Sequence, residues 1–126
     1  MKLLDSLYTI VSECSIEDGY EFDLKLNPEH FIYLAHFPGE PVTPGVCIMQ
    51  IAVELFEIAL KSHIALECVK NIKFLRIISP NEVTAIKYSL QKISIEDGSA
   101  KVQVTVSADG DTYAKLSLVC KEIKSE

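Results

Sequence analysis

The chain is short of positive charge, of long apolar runs and of proline and glycine. Each shortage excludes something. Twelve Lys and Arg against eighteen Asp and Glu leave a formal charge of −6 in 126 residues, so no phosphate-neutralising face is expected and a general nucleic-acid binder is excluded. The longest apolar stretch is broken by Gln50, Glu54 and Glu57, too short and too interrupted to cross a bilayer. Met1–Leu7 has no basic start followed by a cleavage site and does not read as a signal peptide; the expected location is the cytoplasm, with no membrane partner. The four cysteines, Cys14, Cys47, Cys68 and Cys120, form no C-x-x-C and stand at no ligand spacing to a histidine. They read as reduced, mostly buried thiols, with no disulfide, no metal and no cofactor expected. No internal repeat, low-complexity segment or linker is present, so residues 1–126 read as one domain.

Proline and glycine number five each, and three of those prolines and two of those glycines fall within His36–Val46, HFPGEPVTPGV. Such a run fixes an extended, stiff path. Pro44 stands where a first helical residue belongs, behind Thr43 as a candidate N-cap. An apolar helix follows from about Cys47 to Leu60. Its first N–H groups, at Gly45 and Val46, have no acceptor within the helix and suit a carbonyl oxygen or an anion. The segment thus sets a titratable imidazole, His36, beside a set of open N–H donors.

Elsewhere the pattern is that of strands. Tyr8, Ile10, Ser12, Cys14 and Ile16 alternate, and after Asp18-Gly19 so do Tyr20, Phe22, Leu24 and Leu26, which predicts a hairpin. Residues from Asn27 open a helical turn ahead of Phe31–Leu34. Cys68–Ser79 reads as a strand closed by Pro80. Val83–Ile95 is another, with a slip near Gln91-Lys92 that suggests a bulge. Asp97-Gly98 and Asp109-Gly110 turn the chain into two further alternating strands, Ala100–Val106 and Ala114–Cys120, with Lys121–Glu126 a fraying tail. In the helix, Gln50, Glu54, Glu57 and Lys61 are spaced 4, 3 and 4, one narrow polar stripe on a helix otherwise apolar all round. That is a wrapped helix, in an α+β plan of one long helix against a curved antiparallel sheet.

HFPGEPVTPGV resembles the H-F-P-x-x-P-x-x-P-G motif of the β-hydroxyacyl-[acyl-carrier-protein] dehydratases of fatty-acid synthesis, and the likeness continues through the helix into Lys70–Pro80. The resemblance implies a hotdog fold, a central helix wrapped by about five to six strands, working as a homodimer or larger assembly. It implies that His36 is the base that takes the α-proton and that the Gly45 N–H polarises the thioester carbonyl. It also implies a Glu or Asp fourteen places after the histidine, and there this chain has Gln50. An amide orients a hydroxyl but carries no proton cycle. Glu54, one turn on, either approaches the same cavity or lines a solvated seam with Glu57 and Lys61. The catalytic candidates are therefore His36, Gly45, Gln50 and Glu54. Phe37, Pro44, Val46, Met49 and Val53 are candidate acyl-contact residues (Phe56, on the same face, reads as core), and Phe31 and Tyr33 are candidate gates. His30 and His63 read as surface or capping residues. The implied substrate is a 3-hydroxyacyl thioester on a carrier protein or coenzyme A, with Lys61, Lys70, Lys73 and Arg76 as the local basic patch for an acidic carrier. Three readings remain: a dehydratase, a non-catalytic hotdog subunit that binds acyl chains or pairs with an active enzyme, and a hotdog thioesterase.

Overall fold

Each Asp-Gly pair in the second half of the chain closes a two-residue hairpin. Asp97 and Gly98 have φ of 51° and 77°, and Asp109 and Gly110 have 51° and 82°, the pair of positive values that a type I′ turn needs to match strand twist. The computed structural model that shows this describes residues 2–35 and 39–123. Its elements run β1 (Tyr8–Ile16), β2 (Gly19–Leu26), α1 (Phe31–Ala35), α2 (Gly45–Leu60), β3 (Ile64–Phe74), β4 (Ala85–Glu96), β5 (Ser99–Ala108) and β6 (Asp111–Glu122). The six strands make one antiparallel sheet in the order β1-β2-β4-β5-β6-β3. Gly19 begins β2 directly against β4, where any Cβ would meet the Leu90 carbonyl oxygen at 1.8 Å.

Most of the alternating apolar residues turn to one face, although Cys14 and Ile95 are exposed. Phe22, Leu24, Leu26, Ile86, Tyr88, Leu90, Val102, Val104, Val106, Leu116 and Leu118 are buried with Cys47, Ile48, Ile51, Ala52, Leu55 and Phe56 of α2 in one core. The helix is apolar around most of its circumference because the sheet curls around it. This is the hotdog fold. The bulge expected near Gln91-Lys92 is present as a register shift between Gln91 and Ser94, with Lys92 at φ 52°.

Several boundaries differ from the sequence reading, each for a physical reason. The strand expected over Cys68–Ser79 spans Ile64–Phe74 instead. Beyond Phe74 the chain leaves the ladder: Leu75 and Arg76 both donate their N–H to the Tyr113 carbonyl, and the Ile78 carbonyl takes the Thr43 N–H at 2.8 Å. Thr43 is not the helix cap. Pro44 is, at φ −60° and ψ 145°, with no side-chain cap bond, because the Thr43 hydroxyl is buried against the Tyr33 hydroxyl at 2.9 Å. Cys14 and Cys68 are exposed, since they lie on the two edge strands, while Cys47 and Cys120 are buried. The tail is paired as far as Ile123, whose N–H donates to the His63 carbonyl. At the other end, Leu3 and Leu7 belong to the core at 2% and 0% exposure.

Candidate active site

Two of the residues singled out in the sequence, His36 and Phe37, lie outside the described residues, and so does Pro38. The site is built here from what flanks them. On one side is α1, begun by His30, whose Nδ1 accepts the Ile32 N–H at 3.1 Å. Its ring stacks on Phe31 with centroids 4.6 Å apart. His30 is thus the cap that the sequence allowed, but a buried one, and burial lowers its pKa below the ordinary 6.5. On the other side Thr43 is held twice, by Tyr33 through its hydroxyl and by Ile78 through its N–H. The ends of the span 33–43 are therefore tied together.

Helix α2 opens at Gly45. Cys47 and Ile48 turn their N–H groups back to the Pro44 carbonyl, and the Gly45 and Val46 N–H groups precede any intrahelical acceptor. Gly45 lies in the wall of a cleft of about 330 Å³, with Val42, Thr43, Ile48, Phe74 and Ile78. The Phe74 ring lies close over it: a Cβ on Gly45 would be 2.8 Å from Phe74 Cζ. Glycine at this position is what lets a ring or a ligand approach the start of the helix. The cleft is apolar, and Val46, Phe74, Leu75 and Ile77 around it are 52–67% exposed. The donor end of a helix in the wall of an apolar cleft suits negative charge on a carbonyl oxygen.

The polar stripe on α2 divides. Lys61 is exposed, Glu57 half-buried and Glu54 buried, so a solvated seam does not describe Glu54. Its carboxylate accepts four hydrogen bonds: Oε1 from Leu4 N–H and the Tyr8 hydroxyl, Oε2 from Leu3 N–H and Gln50 Nε2, all at 2.8–2.9 Å. Gln50 and Glu54 are brought together as their spacing required, yet neither lines the cleft at Gly45. Of the acyl-contact candidates, Pro44 caps the helix, Val46 is exposed, Met49 is half-buried and Val53 is buried. Phe31 is 70% exposed and Tyr33 is 1% exposed inside the core; neither lines the cleft.

Sequence reasoning missed the hydrogen-bonding roles of three tyrosines, including Tyr33, which it read as a gate. Tyr8 donates to Glu54, Tyr33 pairs with Thr43, and Tyr88 donates to the Ile48 carbonyl at 3.0 Å. Burial raises the pKa of all three, with the Glu54 charge adding to the rise at Tyr8, so they act as neutral hydroxyls. Burial also raises the Cys47 thiol, which makes it a poor nucleophile. Phe74 and Ile48, which help to shape the cleft, had no signal beyond being apolar. Among the described residues no group of three His, Cys, Asp or Glu is placed to hold a metal, and no helix is long and apolar enough to cross a membrane.

The sheet order and the wrapped helix define a hotdog-domain protein with an open helix N-terminus beside an apolar cleft. The model of the ApeI-like family, ApeI dehydratase, matches residues 12–117. The chain belongs to that family. It is 32% identical over 95 residues to the 3-hydroxyacyl-[acyl-carrier-protein] dehydratase FabZ of Latilactobacillus sakei, covering 70% of this chain and 68% of that protein. Among solved structures, the dehydratase heterocomplex ApeI:P from Xenorhabdus doucetiae has a chain that superposes with a TM-score of 0.71 at 13% identity, over 89% of this chain and 96% of that one. An uncharacterised protein from Erwinia carotovora gives 0.72 at 18% identity, over 93% and 98%. At these identities the structures support the fold alone.

Proposed function

We propose that this protein dehydrates 3-hydroxyacyl thioesters, breaking the α-carbon–hydrogen and β-carbon–oxygen bonds to give a trans-2-enoyl thioester and water. His36 takes the α-proton and, as imidazolium, hands it to the departing β-hydroxyl, which leaves as water. The Gly45 N–H holds the thioester oxygen as negative charge develops on it, and Gln50 orients that hydroxyl. The observation that carries this reading is the Gly45 N-terminus set into an apolar cleft at the end of the H-F-P-x-x-P-x-x-P-G segment. Glu54 enters the reaction through Gln50, because its own four acceptor directions are taken by protein donors. Pro44 holds the opening of the helix, while Val46, Met49 and Val53 offer apolar surface along it.

A homodimer fits the exposed features. Strand β3 is a sheet edge, and Val69, Phe74, Leu75 and Ile77 along it and just beyond are exposed. An unpaired edge flanked by apolar side chains is a surface for a second copy. Lys70, Lys73 and Arg76 are exposed on the same strand and its continuation, a local basic patch for the phosphates or the acidic carrier of a phosphopantetheine thioester. Such a protein would work in the cytoplasm.

The test is hydration and dehydration of 3-hydroxyacyl and 2-enoyl thioesters, on coenzyme A and on carrier protein, with wild type and His36→Ala. Activity in wild type that is lost in His36→Ala supports the reading; no activity with any chain length rejects it. One observation favours a second reading. Gln50 supplies no ionisable proton, and general acid–base groups are worth ~10²–10⁴-fold. A subunit completed by a second, acid-bearing hotdog chain would account for that, and the ApeI:P relative is itself a heterocomplex. Activity created by Gln50→Glu in an otherwise inactive protein would favour this second reading.

A further inference from the structure

The outer face of the sheet, turned away from α2, is divided in two. On β1, β2 and β4 its polar groups satisfy one another. The Ser12 hydroxyl donates to Asp23 at 2.9 Å and the Ser89 hydroxyl to Glu21 at 3.4 Å, while Lys87 Nζ stands 3.7 Å from Glu21 and 4.0 Å from Asp23. On β5, β6 and β3 the register sets two cross-strand rows side by side, Lys73–Lys115–Thr105 and Asn71–Ser117–Gln103. Residues two apart on a strand share a face, and the intervening Val104 and Leu116 point into the core. The six side chains therefore stand together, and they line a hollow of about 310 Å³.

This half consists of donors without acceptors. Two ammonium groups, two side-chain amides and two hydroxyls line the hollow, and no carboxylate does. Among the described residues, none of these six side chains makes a hydrogen bond or an ion pair. Lys73 lies directly opposite Lys115, and like charges so placed destabilise a ladder. The chain carries eighteen Asp and Glu and a net charge of −6, yet it sets none of those acids between the two lysines. A local conflict of this kind is tolerated where an outside partner resolves it.

We propose that the hollow is an anion site that takes a phosphate-ester group. Lys73 and Lys115 flank the charge, and Asn71, Gln103, Thr105 and Ser117 donate to the oxygens. A phosphate monoester brings about −1.5 to −2 charges and three acceptor oxygens, which matches two ammonium groups; a carboxylate would leave one of them uncompensated. A nucleic-acid strand fits poorly, because the hollow has no aromatic ring on which a base could stack. Lys73 and Phe74 are successive residues of β3, so the hollow and the Gly45 cleft lie on opposite faces of the sheet. The site stands whatever reaction that cleft performs. Its phosphate belongs either to a soluble ester or to a lipid head group, which share this chemistry.

The experiment is amide NMR and unfolding of the full chain with glycerol 3-phosphate, against sodium chloride at equal ionic strength. In wild type the ester should shift the amides of Asn71, Gln103, Thr105 and Ser117 saturably and raise Tm beyond the chloride control. Lys115→Gln and Lys73→Gln should each bind about tenfold more weakly, the loss of one charged hydrogen bond. Both should also show a higher urea midpoint than wild type at low salt, since the repulsion leaves with the charge; lysines that serve only the fold would lower it. Vesicles of phosphatidylcholine with and without phosphatidic acid separate the sources. Sedimentation that needs both phosphatidic acid and Lys115 assigns a lipid head group, and ester binding without sedimentation assigns a soluble ligand; either upholds the site. Wild-type shifts no larger than chloride produces overturn it, and this needs no variant. Equal shifts in wild type and both lysine variants overturn it as well.

Discussion

The hydroxyl pair Tyr33–Thr43 offers a quantitative test of how the segment between α1 and α2 is held. Both side chains are in the core, at 1% and 4% exposure, with their oxygens 2.9 Å apart. Thr43→Val keeps the shape and removes one hydroxyl, leaving the Tyr33 O–H in an apolar site without its partner. Tyr33→Phe does the reverse. An orphaned buried hydroxyl costs about 1–3 kcal/mol, whereas removing both partners together is close to neutral. The two single variants should therefore each lose about 1–3 kcal/mol, and the double variant should lose no more than either single one. The coupling in the cycle is then at least about 1–3 kcal/mol, well beyond the ~0.5 kcal/mol scatter of independent sites. Urea unfolding at one fixed protein concentration measures it, and each single loss should appear as about 4–11 °C in Tm at this chain length. Burial holds the Tyr33 phenol above its ordinary pKa of 10.0, so the coupling should not change between pH 6 and 9. Losses that simply add would refute the reasoning and would mean that water reaches the pair.

Gly45→Ala should leave stability within about 0.5 kcal/mol, because alanine favours the helix while the Phe74 ring, 2.8 Å from the new methyl and 52% exposed, swings aside; kcat/KM should nevertheless fall, and calorimetry beside the thioester assay separates the two. Lys61 closes α2 in the left-handed region at φ 54°, so Lys61→Gly should stabilise by about 0.5–1 kcal/mol, read as a higher urea midpoint. Neutral His30 accepts the Ile32 N–H, and its folded pKa is depressed by burial. The unfolded chain thus takes up the proton first, so this stabilisation is whole above pH 6.5 and is lost as pH falls toward the folded value. His30→Asn should flatten that part of the pH–stability curve; an unchanged curve would remove His30 as its source.

How much of this was legible in the sequence depends on how far apart the interacting residues are. The strands of β4–β6, the turns Asp97-Gly98 and Asp109-Gly110, the bulge after Gln91 and the long helix are all written in local patterns. Residues two to four apart set them. The position of Gly45 at the helix start follows from Pro44-Gly45 and the apolar run, and the meeting of Gln50 with Glu54 follows from their four-residue spacing. The end of β3 was not legible. KFLRIISP continues an apolar strand to the eye, yet the backbone turns away at Leu75 because Tyr113 and Thr43 supply its partners, and both are distant in the chain. Thr43 obeys the local rule for a cap and loses to a tyrosine ten residues earlier.

The stripe Gln50–Glu54–Glu57–Lys61 shows the same limit at the site itself. Polarity at helical spacing says that a face needs polar partners; it does not say whether water or protein provides them. At Lys61 water does. At Glu54 the partners come from residues 46 to 51 positions away, and no periodicity in the chain points to them. Those donors also explain the residue at 50. Leu3, Leu4 and Tyr8 together require an acceptor-only group at 54, and a second carboxylate at 50 would stand where Nε2 now lies, 2.9 Å from Glu54 Oε2. Two carboxylates so close cannot both remain charged without cost. The amide at Gln50 and the acid at Glu54 are therefore one choice, made by the N-terminal segment, and restoring an acid at 50 without altering 54 sets that segment's anchor against the chemistry it would restore.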